Sequence, residues 1–133
     1  MSDEQVTREV IALTERLLES IEAGDWATYE SLCDPTLTAR EPEAVGQLVE
    51  GMDFHRHYFE LERGPHPRQT TIASPHVRLL GDVAVVTYVR LTQLLDAAGQ
   101  PRTTAAEETR IWQRQPAGWQ HMHFHRSRIS RSG

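Results

Sequence analysis

Glu107-Glu108-Thr109-Arg110-Ile111-Trp112 and, after a short turn, Trp119-Gln120-His121-Met122-His123-Phe124-His125-Arg126-Ser127 carry the strongest constraint in this chain. At the two-residue period of a strand, Arg126 falls on the face of Met122 and Phe124, so an arginine is aimed at a core. Burying it is costly unless something anionic meets it. In the first run Glu107 and Glu108 point to opposite faces, and parity groups Glu108 with Arg110 and Trp112. His121, His123 and His125 alternate, so at strand period they share one face. Neighbours in such a row lie about 7 Å apart, too far to share a metal, and the row reads as a polar outer face or an oligomer contact. No metal site is expected.

The same strand pattern extends upstream. Gly81-Asp82, Asp96 to Pro101 and Gln115 to Gly118 are turn signals, and they separate four long runs: Gln69 to Leu80, Val83 to Leu95, Arg102 to Arg114 and Trp119 to Arg128. Before them the period is helical. Val6, Val10, Leu13, Leu17 and Ile21 make one apolar stripe, which Gly24 ends in a left-handed position. Asp25 caps a second, shorter helix carrying Trp26, Tyr29 and Cys33, and Asp34-Pro35 closes it. Thr36 to Arg40 reads as extended, Met52 to Glu62 as a third helix capped by Asp53, Arg63 to Pro67 as a loop, and Ser127 to Gly133 as a frayed tail. Helices followed by a meander predict an α+β fold, with N-terminal helices packed on a curved antiparallel sheet.

The totals narrow the function. A chain of 133 residues with 38% hydrophobic content suits one domain, residues 1–133. The net charge of −5 and the isoelectric point near 5.8 oppose a nucleic-acid partner. A single cysteine, Cys33, a polar N-terminus and the lack of any apolar run of membrane-spanning length predict a soluble cytoplasmic protein without a membrane partner. No phosphate loop, nucleophile elbow or cofactor fingerprint is present, so no cofactor is expected.

Arg90, Arg110 and Arg126 are the residues most able to carry chemistry. Arg90 shares strand parity with Val86 and Tyr88. Two readings stand side by side. The arginines pair internally, with Glu108 or with a first-helix carboxylate such as Glu15 or Glu19, or they converge on a cavity and hold a ligand carboxylate in their planar forks. Tyr88, Trp112 and Phe124 read first as core aromatics, with a place in a pocket wall as the alternative.

Several ordered blocks match one family: Cys33-Asp34-Pro35, Glu41-Pro42-Glu43-Ala44, Leu48 to Arg56, Arg90-Leu91-Thr92-Gln93 and the two runs quoted first. From about Glu9 to Ser127 the chain resembles the association (hub) domain of calcium/calmodulin-dependent protein kinase II. The resemblance implies the cone-shaped NTF2-like fold. It also implies a homo-oligomer, at least a dimer and at most a stacked double ring, and a pocket for small carboxylates or an acidic peptide. That pocket is lined by the residues matching Arg90, Arg110, Arg126 and His55, and Glu108 and Tyr88 complete the candidate ligand-binding set. Beside the arginines, His55 is expected to be neutral and to donate one hydrogen bond. Because the chain starts at the first helix, neither kinase activity nor calmodulin binding is expected. It departs from the family at His57, at Leu94 and in the shortened loop Glu62 to Pro67, which leaves the ring size open. The competing expectation is a small-molecule enzyme of the isomerase, dehydratase or cyclase type. It is disfavoured because the candidate bases Glu108 and His55 sit among arginines that lower their pKa.

Overall fold

The computed structural model describes residues 1–61 and 67–130, so most of the loop expected over Arg63 to Pro67, and the last three residues of the tail, lie outside the described residues. Three helices, α1 (Asp3–Ala23), α2 (Trp26–Leu32) and α3 (Asp53–Glu60), pack on a six-stranded sheet. Its strands are β1 (Cys33–Arg40), β2 (Val49–Glu50), β3 (Arg68–Leu80), β4 (Val83–Leu95), β5 (Pro101–Gln115) and β6 (Gly118–Arg128), in the order β2-β1-β6-β5-β4-β3. The meander β3 to β6 is antiparallel as expected. β1, however, joins β6 in parallel, so the sheet is mixed. The short run Thr36 to Arg40 gave no hint of a partner so distant in sequence.

Local chemistry explains the boundaries. Ser2 and Gln5 form a reciprocal capping box at the start of α1, and Gly24 ends that helix at φ 67°, the left-handed conformation that glycine adopts without steric cost. Asp25 caps α2 through the amide of Thr28. α3 differs from expectation: Asp53 is its first residue rather than its cap, and Met52, which precedes it, has no side-chain bond to the helix. The carboxylate of Asp53 instead lies in the first turn, where the helix dipole favours it. The tail is ordered further than expected, since Ser127 and Arg128 belong to β6 and the amide of Ile129 donates to the Ala105 carbonyl.

The core lies between α1, α2 and the inner face of the sheet. Val10, Leu17, Leu18, Tyr29, Leu37, Val86 and Trp112 are buried there. Trp112 is fully buried, and its indole N–H donates to Thr14 Oγ1 across the core at 3.1 Å. Besides the register shift between Cys33 and Thr38 of β1, two irregularities interrupt the meander. One falls in β3 between Ala73 and His76, around Ser74 at φ 50°, and the other falls in β6.

The break in β6 overturns the histidine reading. Trp112 pairs with His121 but Ile111 pairs with His123, so Met122 is an extra residue without a partner on β5. A bulge of this kind reverses the parity of everything beyond it. His121 therefore enters the core beside Trp112 and Phe124 instead of sharing an outer face with His123 and His125. Phe124 and Arg126 do face inward together, whereas Met122 does not share their alternation.

Candidate functional site

The inner faces of β4, β5 and β6 present Tyr88, Arg90, Glu108, Arg110, Phe124 and Arg126 toward the wide end of the sheet. There α1, α3 and the Glu41–Ala44 turn leave a cavity of about 290 Å³. Arg90, Arg110, Arg126 and His55 all line it. Glu108 and Tyr88, placed in the candidate set by the sequence, are buried beneath it behind Arg90 and Arg110 and take no part in its wall. Glu22, Tyr29, Glu41, Glu43, Phe59 and Arg68 are further wall residues.

The floor is a closed network. Tyr88 donates its hydroxyl proton to Glu108 Oε1 at 2.5 Å and accepts from Arg110 Nε at 2.8 Å. Arg110 Nη2 donates to Glu108 Oε1 at 3.0 Å, and Arg90 Nη1 to Glu108 Oε2 at 3.2 Å. Arg90 reaches the other way to Glu22 Oε1 at 2.9 Å, and Arg68 Nε lies 3.0 Å from Glu22 Oε2. At the opposite wall Arg126 donates to Glu43, and Arg128 Nη2 lies 4.0 Å from the same carboxylate. Internal pairing and an open cavity thus coexist. The first-helix partner is Glu22 rather than Glu15 or Glu19. Glu22 stands one turn beyond Glu19 on the same helical face, nearer the mouth, and that spacing was the available signal. Arg68 opens β3 and lines the cavity, although by sequence it fell between the loop Arg63 to Pro67 and the run that begins at Gln69.

Charge states follow from this packing. Burial would raise the Glu108 pKa, but Arg110, Arg90 and the Tyr88 hydroxyl outweigh it and hold the carboxyl at about 2. Burial opposes the charge on Arg110 too. Tyr88, Glu108 and Tyr29 overcome it, so its pKa lies above the ordinary arginine value. Burial, assisted by Arg110, lowers His55 to about 4, the expected direction with burial the larger cause. Its ring is neutral, and its Nε2 is buried without a hydrogen-bond partner among the described residues. Glu41 moves the other way. Burial and the neighbouring Glu43 push it up to about 7, against the pull of Arg126 and Arg110.

Glu41, Glu43 and Tyr29 were missed as site residues because the first two lie on an irregular turn, where no period signals a face, and Tyr29 read simply as helix packing. His121 was missed because of the bulge. It touches the site from below, with its Nε2 3.4 Å from Arg110 Nη1. Among the described residues no three histidine, cysteine or acidic side chains cluster as a metal would require. Among the described residues no helix is long and apolar enough to cross a membrane.

Known proteins place these features. The chain is 54% identical over 123 residues to the delta subunit of the type II calcium/calmodulin-dependent protein kinase of Oryctolagus cuniculus, covering 90% of this chain but 23% of that protein. It is 48% identical to the solved CaMKII hub homology domain of Chlamydomonas reinhardtii, with a TM-score of 0.89, covering 94% of this chain and 99% of that one. An NTF2-like superfamily protein from Salmonella enterica, 21% identical, superposes with a TM-score of 0.80 over 99% of this chain and 96% of its own, a likeness of fold alone. Residues 6–130 match the calcium/calmodulin dependent protein kinase II association domain, and the chain belongs to that family, with its helices laid on a curved mixed sheet in the NTF2-like manner.

Proposed function

We propose that the chain is one self-associating domain, a cytoplasmic homo-oligomeric module without kinase activity of its own, whose cavity holds a small carboxylate. The observation that carries the ligand reading is the convergence on one open space of Arg90, Arg110, Arg126 and His55, whose Nε2 has no hydrogen-bond partner among the described residues. Arg110 uses one N–H on each of its three nitrogens for Tyr88, Glu108 and His121, and a guanidinium has five. Two N–H groups therefore remain for an anion. A volume of about 290 Å³ is near the low end for ligand pockets and suits a molecule of a few carbons. Calorimetry with butyrate tests the reading. Arg126→Ala is the clean variant, because Arg126 is partly exposed, whereas removing the fully buried Arg110 strands Glu108. Affinity in the micromolar to millimolar range is expected for the native protein, falling about tenfold in Arg126→Ala. Equal affinities would leave the arginines a purely structural role.

Self-association is supported by family membership and by the outer sheet face, where Val83, Val85, Val89 and Leu91 of β4 and Ile111 of β5 are only half-buried. Light scattering should give a dimer or a multiple of it. A monomer at micromolar concentration would refute the claim.

Glu41 favours a second reading, an isomerase or dehydratase using this fold. A carboxyl near pH 7 in a cavity has the properties of a general base, which Glu108, held at about 2 and sealed under the floor, lacks. Turnover of a small carbonyl substrate that disappears in Glu41→Gln would support it.

A further inference from the structure

The cavity has a neighbouring compartment. On the far side of Arg68, Arg90 and Arg126 lies a recess of about 430 Å³, shared by these three arginines and extended by Arg128, Thr92 and Thr104. Glu43 is its only carboxylate among the described residues, whereas the inner cavity also has Glu22 and Glu41. The outer recess is therefore the more cationic of the two.

The ion pairs run as two chains. Arg110, Glu108, Arg90, Glu22 and Arg68 alternate in the first, and Arg126, Glu43 and Arg128 in the second. Each chain ends in a guanidinium at both ends and so holds one more arginine than glutamate. Among these paired residues five arginines face three glutamates, a surplus of two positive charges that falls as Glu41 in the same cavity ionises. Nε of Arg90, a residue common to both compartments, is buried without a hydrogen-bond partner among the described residues. Apolar side chains lie on either side of the shared wall, Phe59 and Phe124 inside, Leu94 and Ile129 outside.

We propose that the two compartments form one bipartite site for a short α,ω-dicarboxylate. One carboxylate sits inside with Arg110 and Arg126, the other outside with Arg128, and the hydrocarbon spacer crosses the arginine wall. This rests on the reading of an anion-holding cavity and deepens it. The planar forks suit carboxylates, the surplus of two charges is matched by a dianion, and the apolar strips suit methylenes. A compact dianion would fill only one compartment.

The test is calorimetry on the full chain in its native oligomer with pentanoate, hexanoate, glutarate, adipate and inorganic phosphate. Each is titrated into wild type and into Arg128→Gln, whose side chain is 70% exposed and removable without disturbing the core. A dicarboxylate should bind at least fivefold tighter than the monocarboxylate of equal carbon number. Arg128→Gln should reduce that preference to twofold or less. Equal binding of the two classes, a preference untouched by Arg128→Gln, or phosphate binding as tightly as the best dicarboxylate would overturn the bipartite site and leave the single-anion cavity standing. Failure of every carboxylate to bind would overturn both.

Discussion

Arg110 and His121 lie side by side in the core, Nη1 of the arginine 3.4 Å from Nε2 of the histidine. A guanidinium has no acceptor, so Nε2 accepts and the imidazole proton resides on Nδ1, which faces Cys33 Sγ at 3.4 Å. Burial and Arg110 together hold the ring well below the usual histidine pKa, which keeps it neutral and able to accept. Removing the acceptor while keeping the shape, as in His121→Phe, leaves a buried guanidinium N–H unpaired. The expected cost is about 1–3 kcal/mol in urea unfolding at fixed protein concentration. A Phe variant as stable as wild type would show that the contact contributes nothing.

Thr14 is a polar residue in the buried stripe of α1, and its hydroxyl both donates to the Val10 carbonyl at 2.9 Å and accepts from Trp112 Nε1 at 3.1 Å. Thr14→Val is nearly isosteric and orphans the indole N–H in a fully buried place. A loss of about 1–3 kcal/mol is expected, against less than about 1 kcal/mol for Leu13→Met at the edge of the same stripe. Denaturation midpoints compared at one concentration decide it.

The four long strands, the first helix and the start of the second could be read from the sequence because period, turn residues and caps all agreed, whereas Cys33 and Asp34-Pro35, read as the end of the second helix, open β1. Val83–Leu95 has the expected bounds. Parity left the convergence of Arg90, Arg110 and Arg126 as one of two readings beside internal pairing, and the resemblance to the association domain favoured it. What could not be read was non-local. The parallel docking of β1 on β6 involves residues far apart in sequence, and the bulge at Met122 depends on which residue the partner strand leaves unpaired. Glu41 and Glu43 reach the cavity from an irregular turn, so their place depends on the fold around them.

The outer sheet face offers a direct test of assembly. Val85 of β4 and Ile111 of β5 are opposite one another in register and half-buried. Val85→Asp places a charge there without touching the cavity, since β4 residues of that parity point away from it. The variant should lose mass in light scattering by at least half while retaining its circular dichroism. An unchanged mass would move the contact to another surface.

Two glutamates of the site give stability opposite dependences on pH. Glu108 is held at about 2 in the fold, so it stabilises above the unfolded carboxyl value and loses that contribution as pH falls toward 2. Glu41 is raised to about 7 through burial and Glu43, with Arg126, Arg110 and Glu108 the other charged groups acting on it. Below the unfolded value near 4.5, folded and unfolded forms are both protonated and Glu41 contributes no penalty. As pH rises from there through 7 the unfolded chain ionises first, and wild type loses on the order of 2 kcal/mol. Glu41→Gln cannot ionise, so between pH 5 and pH 8 it should gain stability relative to wild type, on the order of 2 kcal/mol in chemical unfolding. A pH-independent difference between the two proteins would show that Glu41 titrates as an ordinary surface carboxylate.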